Sequence, residues 1–196
     1  VKGLAEMEVK ANKVTWPLMY KEIGNDLNSL YNKINSTNKT IVDFLKENGL
    51  EENEITVNAP EIIDMNAERY SSNQSNYRYN VTQVITVASS KVDLVRRLIN
   101  EQSELLKQGI AITSGDYMYR VQYEYTDLNS IKPQMIEEAT KNARAAALKF
   151  ASDSDSKLGK IKRASQGQFS INNRDEFTPY IKKVRVVTTI DYFLED

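Results

Sequence analysis

The chemistry open to this chain is narrow, because its 196 residues include no His and no Cys. A Ser-His-Asp or Cys-His triad turns on an imidazole base, and imidazole and thiolate are the usual transition-metal ligands. What remains falls to carboxylates, Lys, Tyr and Ser. Asp153, Ser154 and Asp155, followed by Lys157, Leu158 and Gly159, have the outline of a Ca²⁺ loop. An EF-hand, however, needs an oxygen ligand at its fifth position and Gly at its sixth, where this chain has Lys157 and Leu158. The segment reads as a helix end and turn. Glu51 beside Glu52, and Glu137 beside Glu138, are adjacent carboxylates, and adjacent helix positions do not face one another. A glycosidase pair must converge across a cleft, which neighbours in sequence do not establish. No phosphate-cradling G-x-x-x-x-G-K-[ST] or G-x-G-x-x-G occurs. These residues by themselves name no reaction, and no cofactor or metal site is expected from them.

Two groupings suit contact rather than catalysis. Tyr117, Tyr119, Tyr123 and Tyr125 fall on one face of an extended reading and form the candidate contact face, able to stack on sugar rings or receive a peptide. The competing reading is ring packing beneath a helix. Lys157, Lys160, Lys162 and Arg163, extended by Lys182, Lys183 and Arg185 with Phe169 between, could meet phosphate, but read better as the solvated face of two neighbouring strands. With 26 basic against 27 acidic residues, the net charge of -1 gives no global field toward nucleic acid or anionic lipid. Nucleic acid is therefore not an expected partner.

The elements that must carry these side chains follow from hydrophobic period. Alternation over residues 5 to 23, clearest at Val14, Trp16, Leu18 and Tyr20, predicts a strand or hairpin, with Pro17 implying an edge or bulge. From Asp26 to Gly49 the period becomes helical through Leu27, Leu30, Tyr31, Ile34, Ile41, Val42 and Leu45. Short extended structure at 54 to 63 and a polar loop at 64 to 76 lead to the clearest strand, Tyr77 to Ala88, where Gln83 is the odd member of an apolar face. A helix capped by Ser89 or Ser90 runs to Gly109. Ile110 to Thr126 reads as extended, and a third helix opens with Pro133 in its first turn and closes near Ser152 with an Ala stripe. Lys157 to Ile171 and Lys182 to Leu194 read as closing strands.

The predicted fold is α+β: a mixed, largely antiparallel sheet with about three helices packed on it, in tandem βαβ-like units. It is read as a single domain over 1–196, with sub-units 1–63 and 77–196 joined by the polar loop 64–76. No stretch of about 18 apolar residues suggests an integral membrane segment. Val1-Lys2-Gly3-Leu4 opens in strand-like sequence rather than as a signal peptide, so the chain is either cytosolic or a signal has been removed.

Several segments in register carry a family resemblance. They are Val1-Lys2-Gly3; Phe44 to Gly49 followed by Glu54-Ile55-Thr56-Val57; Tyr77-Arg78-Tyr79-Asn80-Val81 leading to Val92-Asp93 and Leu98-Ile99; Gly109-Ile110; and the Ala-rich run Glu138 to Ala147 before Leu158-Gly159. The chain resembles the SIMPL-domain family, which includes YggE-like and periplasmic immunogenic proteins. The resemblance implies an α+β fold, a place in the periplasm or cell envelope after signal-peptide removal, and a structural or interaction role with some link to stress defence. It also implies homo-oligomers or another envelope protein as partners, and a protein that is not an enzyme, with no catalytic residues to carry over. The alternatives are a glycan- or peptide-binding receptor using the tyrosine face, or a carboxylate-based hydrolase.

Overall fold

The computed structural model describes residues 1–67, 76–113 and 117–195. In chain order its elements are β1 (Lys2–Lys10), β2 (Lys13–Gly24), α1 (Leu27–Glu47), β3 (Ile55–Val57), β4 (Glu61–Asp64), β5 (Tyr79–Ser89), α2 (Val92–Glu101), α3 (Ser103–Lys107), β6 (Gln122–Glu124), α4 (Leu128–Asp153), β7 (Lys157–Gln166), β8 (Ser170–Asn173) and β9 (Ile181–Glu195). The fold is α+β, as expected. The one sheet and tandem βαβ units of the sequence reading are replaced by two separate sheets. They lie in two compact units, Val1–Asn12 with Tyr123–Asp196, and Lys13–Gln122. Parallel βαβ pairing fails for a physical reason: strands with one polar face suit antiparallel ladders, and β2 runs antiparallel to β5 across the intervening helix.

The polar stretch 64–76 is not a boundary between these units, because β4 before it and β5 after it pair in one sheet. Residues 68–75 of that predicted loop lie outside the described residues. The division falls instead at Ala11 and Asn12, inside the predicted first strand or hairpin. Ala11 N–H donates to the Tyr180 carbonyl at 2.8 Å and Asn12 N–H to the Glu124 carbonyl at 2.9 Å, which ends β1. β1 and β2 then enter different sheets.

In the first unit, β9 is the central strand. β1 pairs along Ile181–Thr189, while β8 and then β7 occupy the other side. Val184, Val186 and Ile190 alternate into the core opposite α4, whose Met135, Ala139, Ala143, Ala147 and Ala151 are buried. The small side chains allow a close approach. A Cβ built on Gly3 of β1 would sit 1.9 Å from the Ala139 carbonyl oxygen and 2.4 Å from the Ala143 nitrogen, so only glycine fits there. α4 begins at Leu128, earlier than the sequence indicated, which places Pro133 inside the helix rather than in its first turn. Across the sheet Lys183 and Arg185 reach Glu6 at 2.9 and 3.5 Å, so part of the basic stretch is neutralised in place.

In the second unit, β5 lies between β2 and the short strands β3 and β4. Cross-strand partners share a face: Trp16 faces Val87, Leu18 faces Ile85 and Tyr20 faces Gln83, all buried. Pro17 stands opposite Thr86 with no register shift, so of the edge or bulge expected there the β2–β5 ladder shows no bulge. Asp26 caps α1 by accepting from Ser29 N–H at 2.8 Å, and the helix ends at Gly49, whose φ of +99° disfavours any side chain. The second predicted helix is broken at Gln102 into α2 and α3. Its N-cap is Lys91; Ser89 instead accepts from the Lys91 N–H at 2.9 Å.

Candidate functional site

The four tyrosines of the predicted contact face do not share a strand. Residues 114–116 lie outside the described residues, Tyr117–Tyr119 form a single 3₁₀ turn, and only Gln122–Glu124 is extended. A run of alternating Tyr has strong strand propensity, yet three residues of strand are all the chain takes up here. Tyr117 and Tyr119 belong to the second unit, Tyr123 and Tyr125 to the first. Tyr117 is 78% exposed, with the Arg120 guanidinium 4.7 Å from its ring centre. Tyr123 meets Tyr180 edge-on at 6.1 Å, and Tyr125 packs beside the α4 core. Their side chains are therefore used singly.

A recess among the described residues lies elsewhere, within the second unit, and arises from an imbalance along α1. Its apolar stripe is wider than the sheet beneath it. Leu30, Ile34, Ile41 and Leu45 are buried, while Leu27 and Tyr31 remain 47% and 66% exposed. The uncovered part of the stripe forms one wall of a groove of about 450 Å³. Leu27, Tyr31, Ile34, Asn35 and Asn38 line that wall; Val57, Asn58, Pro60 and Ile62 line the opposite one; Val81 and Gln83 form the floor. The size falls in the range of small-molecule sites.

Polar groups in the groove are amides, held by the scaffold. Tyr20 donates its hydroxyl to the Ile34 carbonyl at 3.1 Å and the Asn38 Oδ1 at 2.8 Å, pinning α1 over the sheet. Burial, aided by nearby Glu22, pushes the Tyr20 phenol well above the ordinary tyrosine range, so it stays protonated and keeps donating. Gln83 is 1% exposed and donates Nε2 to the Asn58 carbonyl at 2.7 Å and the Val84 carbonyl at 3.1 Å. Those two carbonyls fix which end of the amide is nitrogen, and Gln83 Oε1 is left buried without a donor. Gln83 was visible in the sequence as the odd residue of an apolar strand face, but its role at the floor of a groove was not.

Carboxylates with shifted pKa values lie in structural clusters. At the start of β3, Glu54 accepts from the Ser89 hydroxyl at 2.6 Å, Glu51 N–H at 2.8 Å and Lys91 Nζ at 2.9 Å. Burial opposes its ionisation, but these donors together hold its carboxyl below the usual range. Asp175 accepts from the Thr178 hydroxyl, from Arg174 Nε at 3.1 Å, and from the N–H groups of Thr178 and Phe177 at 2.7 and 2.9 Å. Its carboxyl is drawn down to about 2, first by the Thr178 hydroxyl and then by Arg174. The Asp153–Gly159 segment is a helix end and turn: Asp153 pairs with Lys149 at 2.6 Å, and Asp155 sits at φ +53°.

The model of the SIMPL family, described as a protein of unknown function (DUF541), matches residues 1–187. The chain belongs to the SIMPL family. No curated protein matches it. The match to this SIMPL chain runs through both compact units and covers the α1 groove and the α4-backed sheet up to Val187 of β9. No described helix of the SIMPL chain is long and apolar enough to cross a membrane.

Proposed function

We propose that this SIMPL protein is a non-enzymatic interaction protein of the periplasm or cell envelope whose principal biochemical property is self-association. The observation that carries the reading is the ribbon at the end of the first unit's sheet. β7 is the outermost described strand of that sheet, pairing with β9 on one side and with no described strand on the other. β7 and the end of β9 expose Ile161, Phe193 and Leu194, each more than half accessible, along with the outer edge of β7. Such an edge is a template for a further strand.

The charges on the ribbon suit a second copy. β7 carries Lys160, Lys162 and Arg163, whereas the end of β9 carries Asp191 and Glu195. Two identical β7 edges would repel, but a β7 edge meeting the β9 end of another copy is complementary, a head-to-tail contact of the kind that closes rings. The downward shifts of Glu54 and Asp175, each explained by structural partners, suit a role without catalysis. The envelope location and a part in stress defence belong to the same proposal.

Light scattering behind a sizing column, across a concentration series, tests the association. A mass of several chains that falls on dilution or in Ile161→Glu/Phe193→Glu supports the ribbon interface, since association follows mass action. A monomer at every concentration overturns self-association. Cell fractionation against periplasmic markers tests the location.

A further inference from the structure

Asn48 and Gly49, where α1 ends, form the one Asn-Gly pair in the chain. Such a pair has chemistry of its own, because the glycine nitrogen can attack the preceding side-chain amide and no Cβ on the glycine obstructs the approach. A bond forms between the Gly49 nitrogen and Asn48 Cγ, the Cγ–Nδ2 bond breaks, and the Gly49 proton leaves with Nδ2 as ammonia. Water then opens the cyclic imide to aspartate or isoaspartate. No other reactant is required.

The fold holds this reaction back at each step. Asn48 has a ψ of 12°, which nearly eclipses the Gly49 nitrogen with the backbone nitrogen of Asn48, whereas a five-membered imide needs it eclipsed with Cβ. The attacking group is engaged, since Gly49 N–H donates to the Lys46 carbonyl at 3.0 Å. The group under attack is engaged as well, since Asn48 Nδ2 donates to the Phe44 carbonyl at 2.8 Å. Leu50, 3% exposed, anchors the chain beyond, with its N–H on the Leu45 carbonyl at 3.1 Å. Freeing the pair requires the last turn of α1 to open, as helix ends do locally.

The product cannot rebuild that turn. An aspartate at position 48 has no N–H for the Phe44 carbonyl and sets a negative charge against the negative end of α1. An isoaspartate adds a main-chain carbon before Gly49, which moves the Gly49 and Leu50 N–H groups out of register with the Lys46 and Leu45 carbonyls. We propose that Asn48-Gly49 is a deamidation site gated by the last turn of α1: closed in the folded chain, reactive when the turn opens, and one-way because the product no longer caps the helix.

The test is incubation of the full chain in mildly alkaline buffer, folded and in denaturing guanidinium chloride, with peptide mass mapping for amide-to-acid conversion at position 48. Conversion in the folded chain should be slower by about tenfold or more, since reaction from an open state tracks that state's population. Equal rates in the two conditions, or an unconverted Asn48 in the denatured chain, overturn the proposal. Leu50→Ala, which loosens the anchor, should speed conversion in native buffer; Leu50→Val serves if that variant does not fold, and a rate equal to the parent's overturns the gating. Asn48→Asp should unfold at a lower denaturant midpoint than the parent, and an unchanged midpoint overturns the one-way step.

Discussion

Gly3 of β1 and Ala143 of α4 touch so closely that a Cβ on Gly3 would stand 2.8 Å from the Ala143 Cβ. The helix lies nearly on the backbone of the strand, and Asn142 secures the same crossing by donating to the Leu4 carbonyl at 2.7 Å. Gly3→Ala should therefore destabilise the first unit by about 3 kcal/mol through overpacking against main-chain atoms that have nowhere to move. Urea unfolding reads the change, and an unaltered midpoint would contradict the close approach. Ala143→Leu should act in the same direction.

Glu54 joins the start of β3 to the end of β5 through Ser89 and Lys91. Removing it as Glu54→Ala should cost about 1–3 kcal/mol, since the Ser89 hydroxyl and the Lys91 ammonium lose their acceptor. Its carboxyl has a lower pKa folded than unfolded, so the unfolded state binds the proton first on acidification. Stability from this group is present above the ordinary glutamate pKa and is lost as pH falls through the folded value. Glu54→Gln should flatten the acid limb of the stability curve, as measured by denaturant midpoints across pH.

Tyr20 should ionise only well above the ordinary tyrosine range. Its phenol is raised by burial and by Glu22, so above the ordinary tyrosine pKa the unfolded chain loses a proton that the folded chain keeps. Stability from this group is complete below that pH and declines as pH rises. Tyr20→Phe should remove about 1 kcal/mol and loosen α1 over the groove, visible as faster amide exchange around Ile34 and Asn38.

The turn between β8 and β9 should open in strong acid. Asp175 gathers the Phe177 and Thr178 N–H groups onto one carboxylate with a pKa of about 2 against an ordinary 3.8. Its contribution holds above the ordinary value and disappears as pH falls toward about 2. Nuclear magnetic resonance should show the Phe177 and Thr178 amide signals shifting with one titration over that range, absent in Asp175→Asn.

Much of the fold was legible in the sequence because period reports burial. The stripe of α1, its Asp26 and Gly49 limits and the alternating faces of β2 and β5 follow from local pattern alone. What period does not report is partnership. Val14 through Tyr20 has the same alternation whether it pairs with β1 or β5, so the division at Asn12 was invisible. Pro133 marked a helix start by its usual preference, yet packing of Met135 and Ala139 against the sheet carries α4 back to Leu128 despite the missing donor. The tyrosine run pointed to a strand because its spacing is even, but a 3₁₀ turn uses the same residues. The groove was half legible: Leu27 and Tyr31 were read correctly as part of the apolar stripe, and only the width of the sheet beneath determines that they stay uncovered.

The pairing of β1 with β9 sets an order of events during synthesis. Lys13–Gln122 is an uninterrupted stretch, and its sheet is complete once β6 has been made. The first twelve residues cannot, because Ala5 and its neighbours find their partners only when Val184 and Val186 arrive at the far end of the chain. Until then β1 is a bare strand, with Gly3 awaiting a helix not yet made. Closing so long a loop is slow and leaves β1 exposed in the meantime. A chaperone that binds nascent extended segments would find its target at residues 2–10, and a break anywhere between β1 and β9 would cost the first unit its closure while sparing the second only if it fell outside residues 13–122.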